Sequence, residues 1–168
     1  MKQETLKKLA ASGMMVALII ALSGFYIPVG ASKCFPVQHM MNILAAVLLG
    51  PFWGVGIAFC ASFIRNLLGT GTLMAFPGSI VGAFCCGIVF AKTKKYLPTF
   101  IAEVMGTGVL GGLLAYPVAV YLMGKEAAVF TYVVPFLVST LGGTIIAALL
   151  IGIFARMHVI NQLRELVQ

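Results

Sequence analysis

The sequence predicts an all-α integral membrane protein with six transmembrane helices and both termini in the cytoplasm. Three observations predict this class. Of the 168 residues, 61% are hydrophobic and 9% charged, with a mean hydropathy of +1.10, whereas a soluble domain carries about 25% charged residues. Long segments contain no charge at all. The basic residues between these segments are also distributed unevenly over alternate loops.

The charge-free segments locate the helices, because a membrane span needs roughly 20 apolar residues. The first segment, 9–29, is too long for the apolar part of a signal peptide and is interpreted as a first span. A long segment, 34–64, is divided at Gly50-Pro51, since proline interrupts a helix. The predicted helices are 6–27, 38–50, 52–68, 78–95, 98–123 and 129–157, all approximate, in a single membrane domain over 1–168.

The distribution of positive charge supports six spans. Cytoplasmic termini place eight of the 11 Lys and Arg residues inside, namely Lys2, Lys7, Lys8, Lys92, Lys94, Lys95, Arg156 and Arg164. Three lie outside, namely Lys33, Arg65 and Lys125. Five spans would remove this bias. The helix at 38–50 is the shortest and reaches only about 20 Å, less than the roughly 30 Å hydrocarbon core of a bilayer. Either residues 33–36 extend it at its outer end or neighbouring helices shelter it.

The composition excludes several function classes. The sequence has no Asp and only four acids, so it lacks the clustered acidic ligands that membrane phosphotransferases use. It contains neither a nucleotide-binding P-loop nor a Gly-x-Ser-x-Gly nucleophile motif. The net charge of +7 orients helices and does not indicate nucleic-acid binding. The four cysteines are expected to be buried structural thiols. We therefore expect no catalytic residue, no metal site and no cofactor in this chain.

Polar residues concentrate on the predicted outer side, where they indicate a binding site. Gln38, His39 and Asn42 begin the second helix, although helix capping and interhelical bonding are an alternative. Arg65 offers five hydrogen-bond donors in a fixed geometry, which suits a ligand rich in acceptors. The alternative is an arginine at the membrane interface whose side chain extends to water. The candidate binding residues are Lys33, Phe35, Gln38, His39, Asn42, Arg65, Asn66, Thr70, Thr72, Phe76 and Tyr116.

Glu103 is the acid that lies well inside an apolar stretch, one turn into the fifth helix. It is expected to form an ion pair with Lys94 or Lys95 near the cytoplasmic end. A ligand contact or a proton-carrying role are the alternatives. Tyr116 lies farther out on the same helix, where Pro117 predicts a kink and a free carbonyl. Its ring lines a cavity or belongs to an interfacial aromatic belt.

Small residues form one face of the first helix. Ala10, Gly13, Ala17 and Ala21 recur at helical spacing, and such a face lets another helix approach closely. Packing alone does not decide whether that helix belongs to this chain or to a partner.

With these motifs, the chain resembles the substrate-capture subunits (S-components) of energy-coupling factor vitamin transporters. Within them it is most similar to the thiazole-precursor subunits, ThiW. The resemblance covers about 6–157 and rests on four segments, which are 33–39 (KCFPVQH), 65–78 (RNLLGTGTLMAFPG), 106–108 (GTG) and 114–117 (LAYP).

The resemblance implies a membrane subunit that binds a vitamin precursor and transports it with partner proteins. It also implies an external substrate pocket closed by the first and third loops between the helices. The first helix of that family carries an Ala-x-x-x-Ala face that docks on a transmembrane coupling protein, and here Gly13 replaces the first Ala. Two separate ATPase subunits would use ATP. The location implied is a bacterial-type plasma membrane. The ligand is expected to be 4-methyl-5-(2-hydroxyethyl)thiazole, its phosphate, thiamine or the pyrimidine half of thiamine. The alternative is a solitary proton-coupled transporter that uses Glu103.

Overall fold

A computed structural model shows a helical membrane bundle. The structure describes residues 3–29, 32–157 and 159–167. Lys2 of the charge distribution, and Gly30 and Ala31 of the first external loop, lie outside the described residues. Helices α1 to α8 are Gln3–Ala21, Pro36–Leu48, Pro51–Leu67, Ala75–Thr93, Tyr96–Glu103, Gly112–Pro117, Val133–Arg156 and Val159–Val167. Strands β1 and β2 are Ile27–Val29 and Ser32–Cys34. The all-α class is thus confirmed, with one small hairpin added.

The region after α1 differs from the prediction. The helix ends at Ala21 rather than near 27, and the chain turns into an antiparallel hairpin that pairs Ile27 with Cys34. Pro28 explains part of this difference, because the residue before a proline favours extended backbone. The segment predicted to be the first external loop therefore contains a short β-ribbon that leads to the start of α2.

The break between α2 and α3 lies at Gly50, which adopts a φ of +92° that favours glycine. Pro51 then occupies the first turn of α3, where its missing N–H costs nothing. Pro36 begins α2 in the same way, so this helix starts two residues before the predicted boundary at 38. Both prolines thus mark helix starts as well as helix breaks.

The fifth predicted helix is a composite of α and π segments over Tyr96–Leu122. Helix α5 continues into a π-helical segment, Val104–Gly111, and α6 continues into a second one, Val118–Leu122. Pro117 lacks the N–H that would extend the regular bonding pattern, which favours the second π segment. Glycines in the first segment lie close to α4, since a Cβ on Gly106 would be 3.1 Å from the Cα of Gly82.

The C-terminal part holds two helices where one was predicted. Helix α7 begins at Val133 rather than near 129, because residues 129–132 form turns. Helix α8 follows α7 and was not predicted. It packs back against α1 and α2, and Arg164 Nε donates a hydrogen bond to the carbonyl of Val47 (3.2 Å) in the last turn of α2.

The bundle places polar groups inside and apolar groups outside. Gln38, Asn42, Arg65, Glu103 and Thr107 are all buried. Large apolar side chains such as those of Leu110, Ile145 and Leu149 cover the outer faces of the composite helix and α7. Among the described residues, Ala75–Thr93, Tyr96–Leu122 and Val133–Arg156 are long and apolar enough to cross a membrane, and Pro36–Leu48 is apolar but shorter. Such an arrangement suits a lipid solvent.

Candidate functional site

A cavity of about 220 Å3 opens at one end of the bundle. Four elements surround it, which are the junction of β2 and α2, the end of α3 with the loop that follows it, the start of α4 and the start of α7. Its lining consists of Lys33, Phe35, Gln38, His39, Arg65, Gly69, Thr70, Gly71, Thr72, Met74, Ala75, Gly78, Ser79, Lys125, Pro135, Phe136 and Ser139.

Two contacts fasten β2 to α7 on one side of the cavity. The Phe35 N–H donates to Ser139 Oγ (2.8 Å), and the Cys34 thiol donates to the carbonyl of Pro135 (3.1 Å). Burial raises the pKa of the Cys34 thiol, which keeps it in the protonated form that can donate. These contacts connect residues about a hundred positions apart and hold Phe35 in the wall.

The loop after α3 forms the opposite wall and is well bonded. The N–H groups of Thr70 and Gly71 both donate to the carbonyl of Arg65 (2.9 Å each). The side-chain amide of Asn66 donates to the carbonyls of Ser62 (2.8 Å) and Thr72 (3.0 Å). Gly69 takes a φ of +70°, which allows the tight turn. The loop segment 69–72 (GTGT) is therefore a well-bonded wall of the cavity.

Arg65 lies inside this wall with an exposed fraction of only 1%. Its guanidinium carbon sits 3.7 Å from the centre of the Phe35 ring, which is cation–π geometry. Within the described part of the chain, its Nε and Nη2 atoms have no hydrogen-bond partner. A buried cation with free donors is costly unless an anion meets it. The snorkelling alternative is wrong, because this side chain points into the protein.

A polar cluster centred on Glu103 lies beneath the cavity. Glu103 Oε1 accepts hydrogen bonds from Asn42 Nδ2 (3.0 Å) and Thr107 Oγ1 (2.9 Å) and lies 3.1 Å from His39 Nδ1. The predicted ion pair with Lys94 or Lys95 is wrong. Glu103 ends α5, and the packing of α5 against α2 brings the carboxylate to His39, 64 positions away in the chain. His39 thus contacts Glu103 and lines the cavity.

The sequence model of the family described as "Thiamine-precursor transporter protein (ThiW)" matches residues 9–157, most of the chain. The chain belongs to this family. No curated protein and no solved structure matches it. Membership in the ThiW family makes it a thiamine-precursor transporter, and its long apolar helices are those of a multi-pass membrane protein.

Seven of the residues predicted to bind a ligand line the cavity of this ThiW-family protein. They are Lys33, Phe35, Gln38, His39, Arg65, Thr70 and Thr72. Four do not line it. Asn42 lies one layer below, on Glu103, and Asn66 braces the loop. Phe76 packs against Phe59 at a ring distance of 5.7 Å. Tyr116 is half-buried on the composite helix and does not face this cavity.

Sequence reasoning placed the outer half of the fifth helix in the wall, but α7 takes that position. Pro135, Phe136 and Ser139 line the cavity, as does Lys125 from the preceding segment. The signal available in the sequence was Ser139, the first of two adjacent hydroxyl residues in a long apolar run. Two thiols also differ from the expectation that all four are buried, since Cys60 is exposed and Cys85 is half-buried.

The small residues of α1 face outward. Ala10, Gly13, Ala17 and Ala21 are all exposed, while Ser12 and Ile19 point into the bundle. A Cβ added to Gly13 would meet no atom within 4 Å. This face is therefore not a packing seam within the described chain.

Proposed function

We propose that this protein is the substrate-binding membrane subunit of an ATP-driven energy-coupling factor importer for hydroxyethylthiazole or a close relative. The cavity carries this proposal. It is enclosed by elements distant in the chain and combines the Phe35 and Phe136 rings with the polar groups of His39, Gln38 and Ser139. A flat, weakly polar heteroaromatic ring needs such a mixture of apolar walls and a few donors and acceptors.

The proposal includes six spans with cytoplasmic termini in a bacterial-type plasma membrane. Its support is that the cavity joins the three basic residues expected outside, Lys33, Arg65 and Lys125. At the opposite end of the bundle, Lys8, Lys94 and Arg164 surround a second depression, and all three are expected inside. The two groups therefore lie at opposite ends, as the positive-inside rule requires.

The partners in this proposal are a transmembrane coupling protein, which docks on the small-residue face of α1, and two ATPase subunits. The outward orientation of Ala10, Gly13, Ala17 and Ala21 supports docking, because small residues let a second helix approach closely in lipid. The chain itself supplies no catalytic residue.

Calorimetric titration of the purified chain with hydroxyethylthiazole tests the binding role. His39→Ala is expected to weaken binding about 10- to 100-fold, the effect of about 1–3 kcal/mol for an unpaired polar group. The matched control is Thr99→Ala, since Thr99 is also buried but donates to the Lys95 carbonyl away from the cavity. Absence of binding by the unaltered chain to any thiamine precursor would overturn the proposal.

Uptake measurements test the partner. Ala17→Leu is expected to abolish ATP-dependent uptake in cells that supply the coupling protein, while ligand binding in detergent stays unchanged. Gly152→Leu is the control, because Gly152 is exposed on α7 and has no atom within 4 Å of an added Cβ. Equal loss of uptake in both variants would argue against a docking face on α1.

A proton-coupled transporter working alone is the second candidate, favoured by the position of Glu103 beside His39 at the cavity. Proteoliposomes that contain only this chain, with an imposed pH gradient, separate the two. The importer proposal expects no accumulation of radiolabelled thiazole. Accumulation driven by the gradient alone would establish the second candidate.

A further inference from the structure

We propose that the ligand bound in this cavity carries an anionic group, a phosphate monoester on the thiazole alcohol, and that Arg65 is the residue that holds it. This inference rests on the proposed function and narrows it to a substrate class. Three observations support it, namely the charge of the lining, the state of Arg65 and the state of Gln38.

The lining is positively charged. Lys33, Arg65 and Lys125 face the cavity, and none of the lining residues is an Asp or Glu. Glu103, the acid beneath the cavity, is bonded to His39, Asn42 and Thr107. A neutral alcohol would not compensate the charge of three cations in the lining of the cavity. An anion does, because opposite charges attract strongly where water is excluded.

Arg65 lacks the partner that its burial requires. Two ion pairs lie within 4 Å among the described residues, Lys8–Glu4 and His39–Glu103, and neither involves Arg65. The Phe35 ring, 3.7 Å away, offers a partial compensation through its π-face. It accepts no hydrogen bond from the free Nε and Nη2 donors. The guanidinium fork matches the oxygens of a phosphate, which can accept two parallel bonds.

Gln38 makes a second, independent case from another helix. Its side chain is 3% exposed, it lines the cavity, and neither its Oε1 nor its Nε2 has a partner within the described chain. Unpaired buried amides are rare in folded proteins. Gln38 on α2 and Arg65 on α3 thus both line the cavity and both hold buried donors without a partner within the described residues, as expected where a ligand with several acceptor oxygens completes the bonding.

Titration calorimetry on the full chain in detergent tests this inference. The probes are the thiazole alcohol and its phosphate monoester, each against the unaltered chain, Arg65→Gln and Arg65→Lys. The control is Arg156→Gln, because Arg156 is exposed at the far end of α7. We expect the ester to bind at least tenfold more tightly than the alcohol. Arg65→Gln should abolish that preference, Arg65→Lys should retain part of it, and the control should keep all of it.

If an Arg65 variant fails to fold, a competition experiment on the unaltered chain tests the same inference. Inorganic phosphate should displace the bound ester and leave the bound alcohol in place. Equal affinities, or a preference for the alcohol, would overturn the inference while leaving the proposed function intact. A preference that persists in folded Arg65→Gln would overturn the role of Arg65. Failure of both probes to bind would overturn the inference, and failure of every other thiamine precursor to bind would overturn the proposed function as well.

Discussion

The two ends of the bundle use positive charge in different ways. At the end opposite the cavity, Lys8 pairs with Glu4, Arg164 donates to the Val47 carbonyl, and both Lys94 and Arg164 lie over the Phe90 ring. The chain itself thus supplies at least one partner for each of these cations, although the Nη2 of Arg164 has no hydrogen-bond partner within the described residues. At the cavity end, Arg65 is buried beside a ring and has free donors.

This difference distinguishes cations that stabilise the fold from a cation that is available to bind a ligand. Cations at the far end close helix termini, as Arg164 does at the last turn of α2, where carbonyl groups lack partners. The buried cation at the cavity instead contacts the Phe35 ring, and its Nε and Nη2 donors have no partner within the described residues. A position that is costly for stability and central in a cavity is typical of a binding residue. The same contrast predicts which substitutions change stability and which change affinity.

The largest expected effect lies beneath the cavity, at Glu103. Glu103→Ala removes the acceptor of three buried polar groups, those of His39, Asn42 and Thr107. A hydrogen bond to a charged group contributes about 1.5–3 kcal/mol, and Asn42 and Thr107 keep second acceptors in the carbonyls of Ser79 and Gly78. We therefore expect a loss of roughly 3 kcal/mol in the free energy of unfolding. Thermal unfolding in detergent, followed by the fluorescence of Trp53, measures this. The exposed Glu126 provides the control, Glu126→Ala, with a change within about 0.5 kcal/mol.

The opposite outcome would be informative. If Glu103→Ala unfolded at the same temperature as the control, the cluster would add nothing to the stability of the cavity end. Glu103→Gln preserves one acceptor oxygen and should fall between the two.

The next effect is steric, at Gly82 on α4. A Cβ there would collide with Thr107 Oγ1 and lie 2.8 and 2.9 Å from the Glu103 carboxylate oxygens. Gly82→Ala is therefore expected to destabilise by about 2 kcal/mol, the usual cost of overpacking. Gly13→Ala is the matched control in an open position and should be neutral or stabilising, because alanine favours helices. Equal unfolding temperatures for both variants would contradict the packing described here.

Local features of the fold were predictable from sequence. The break at Gly50-Pro51 follows from the backbone chemistry of two adjacent residues, and no distant contact is needed to produce it. The end of α1 was not predictable in this way. Residues 22–29 continue an apolar run, and the hairpin that replaces the helix depends on pairing with 32–34.

The residues of the cavity show the same distinction between features set by local sequence and features set by distant contacts. Lys33, His39 and Arg65 were found because polar groups in apolar surroundings are conspicuous. The partner of Glu103 was wrongly assigned because sequence proximity favoured Lys94 and Lys95, whereas the contact with His39 depends on how α2 crosses the composite helix. Helix α7 was missed as a wall since its run is almost uniformly apolar and its orientation comes from packing alone.

A smaller effect is expected at the far end. Arg164→Gln removes the hydrogen bond to Val47 and the contact over Phe90, and it should lower stability by about 1 kcal/mol. Ligand affinity should stay within twofold of the unaltered chain. Unfolding and calorimetry on the same preparation check both. A loss of affinity without a loss of stability would show that charge at this end also serves the cavity.

The smallest expected effect concerns Lys33, which lines the cavity but is exposed and held 4.6 Å from the Tyr26 ring. Because water screens an exposed charge, Lys33→Gln should weaken binding of the phosphate ester only two- to fivefold, or about 0.4–1 kcal/mol. In about 1 M salt, where charges act over roughly 3 Å, this difference should disappear. The effect of Arg65→Gln should persist there, since Arg65 is shielded from the ions. Titrations at low and high salt compare the two variants directly. If the Lys33 effect survived high salt, or the Arg65 effect vanished with it, the distinction between a buried anchoring cation and an exposed steering cation would be wrong.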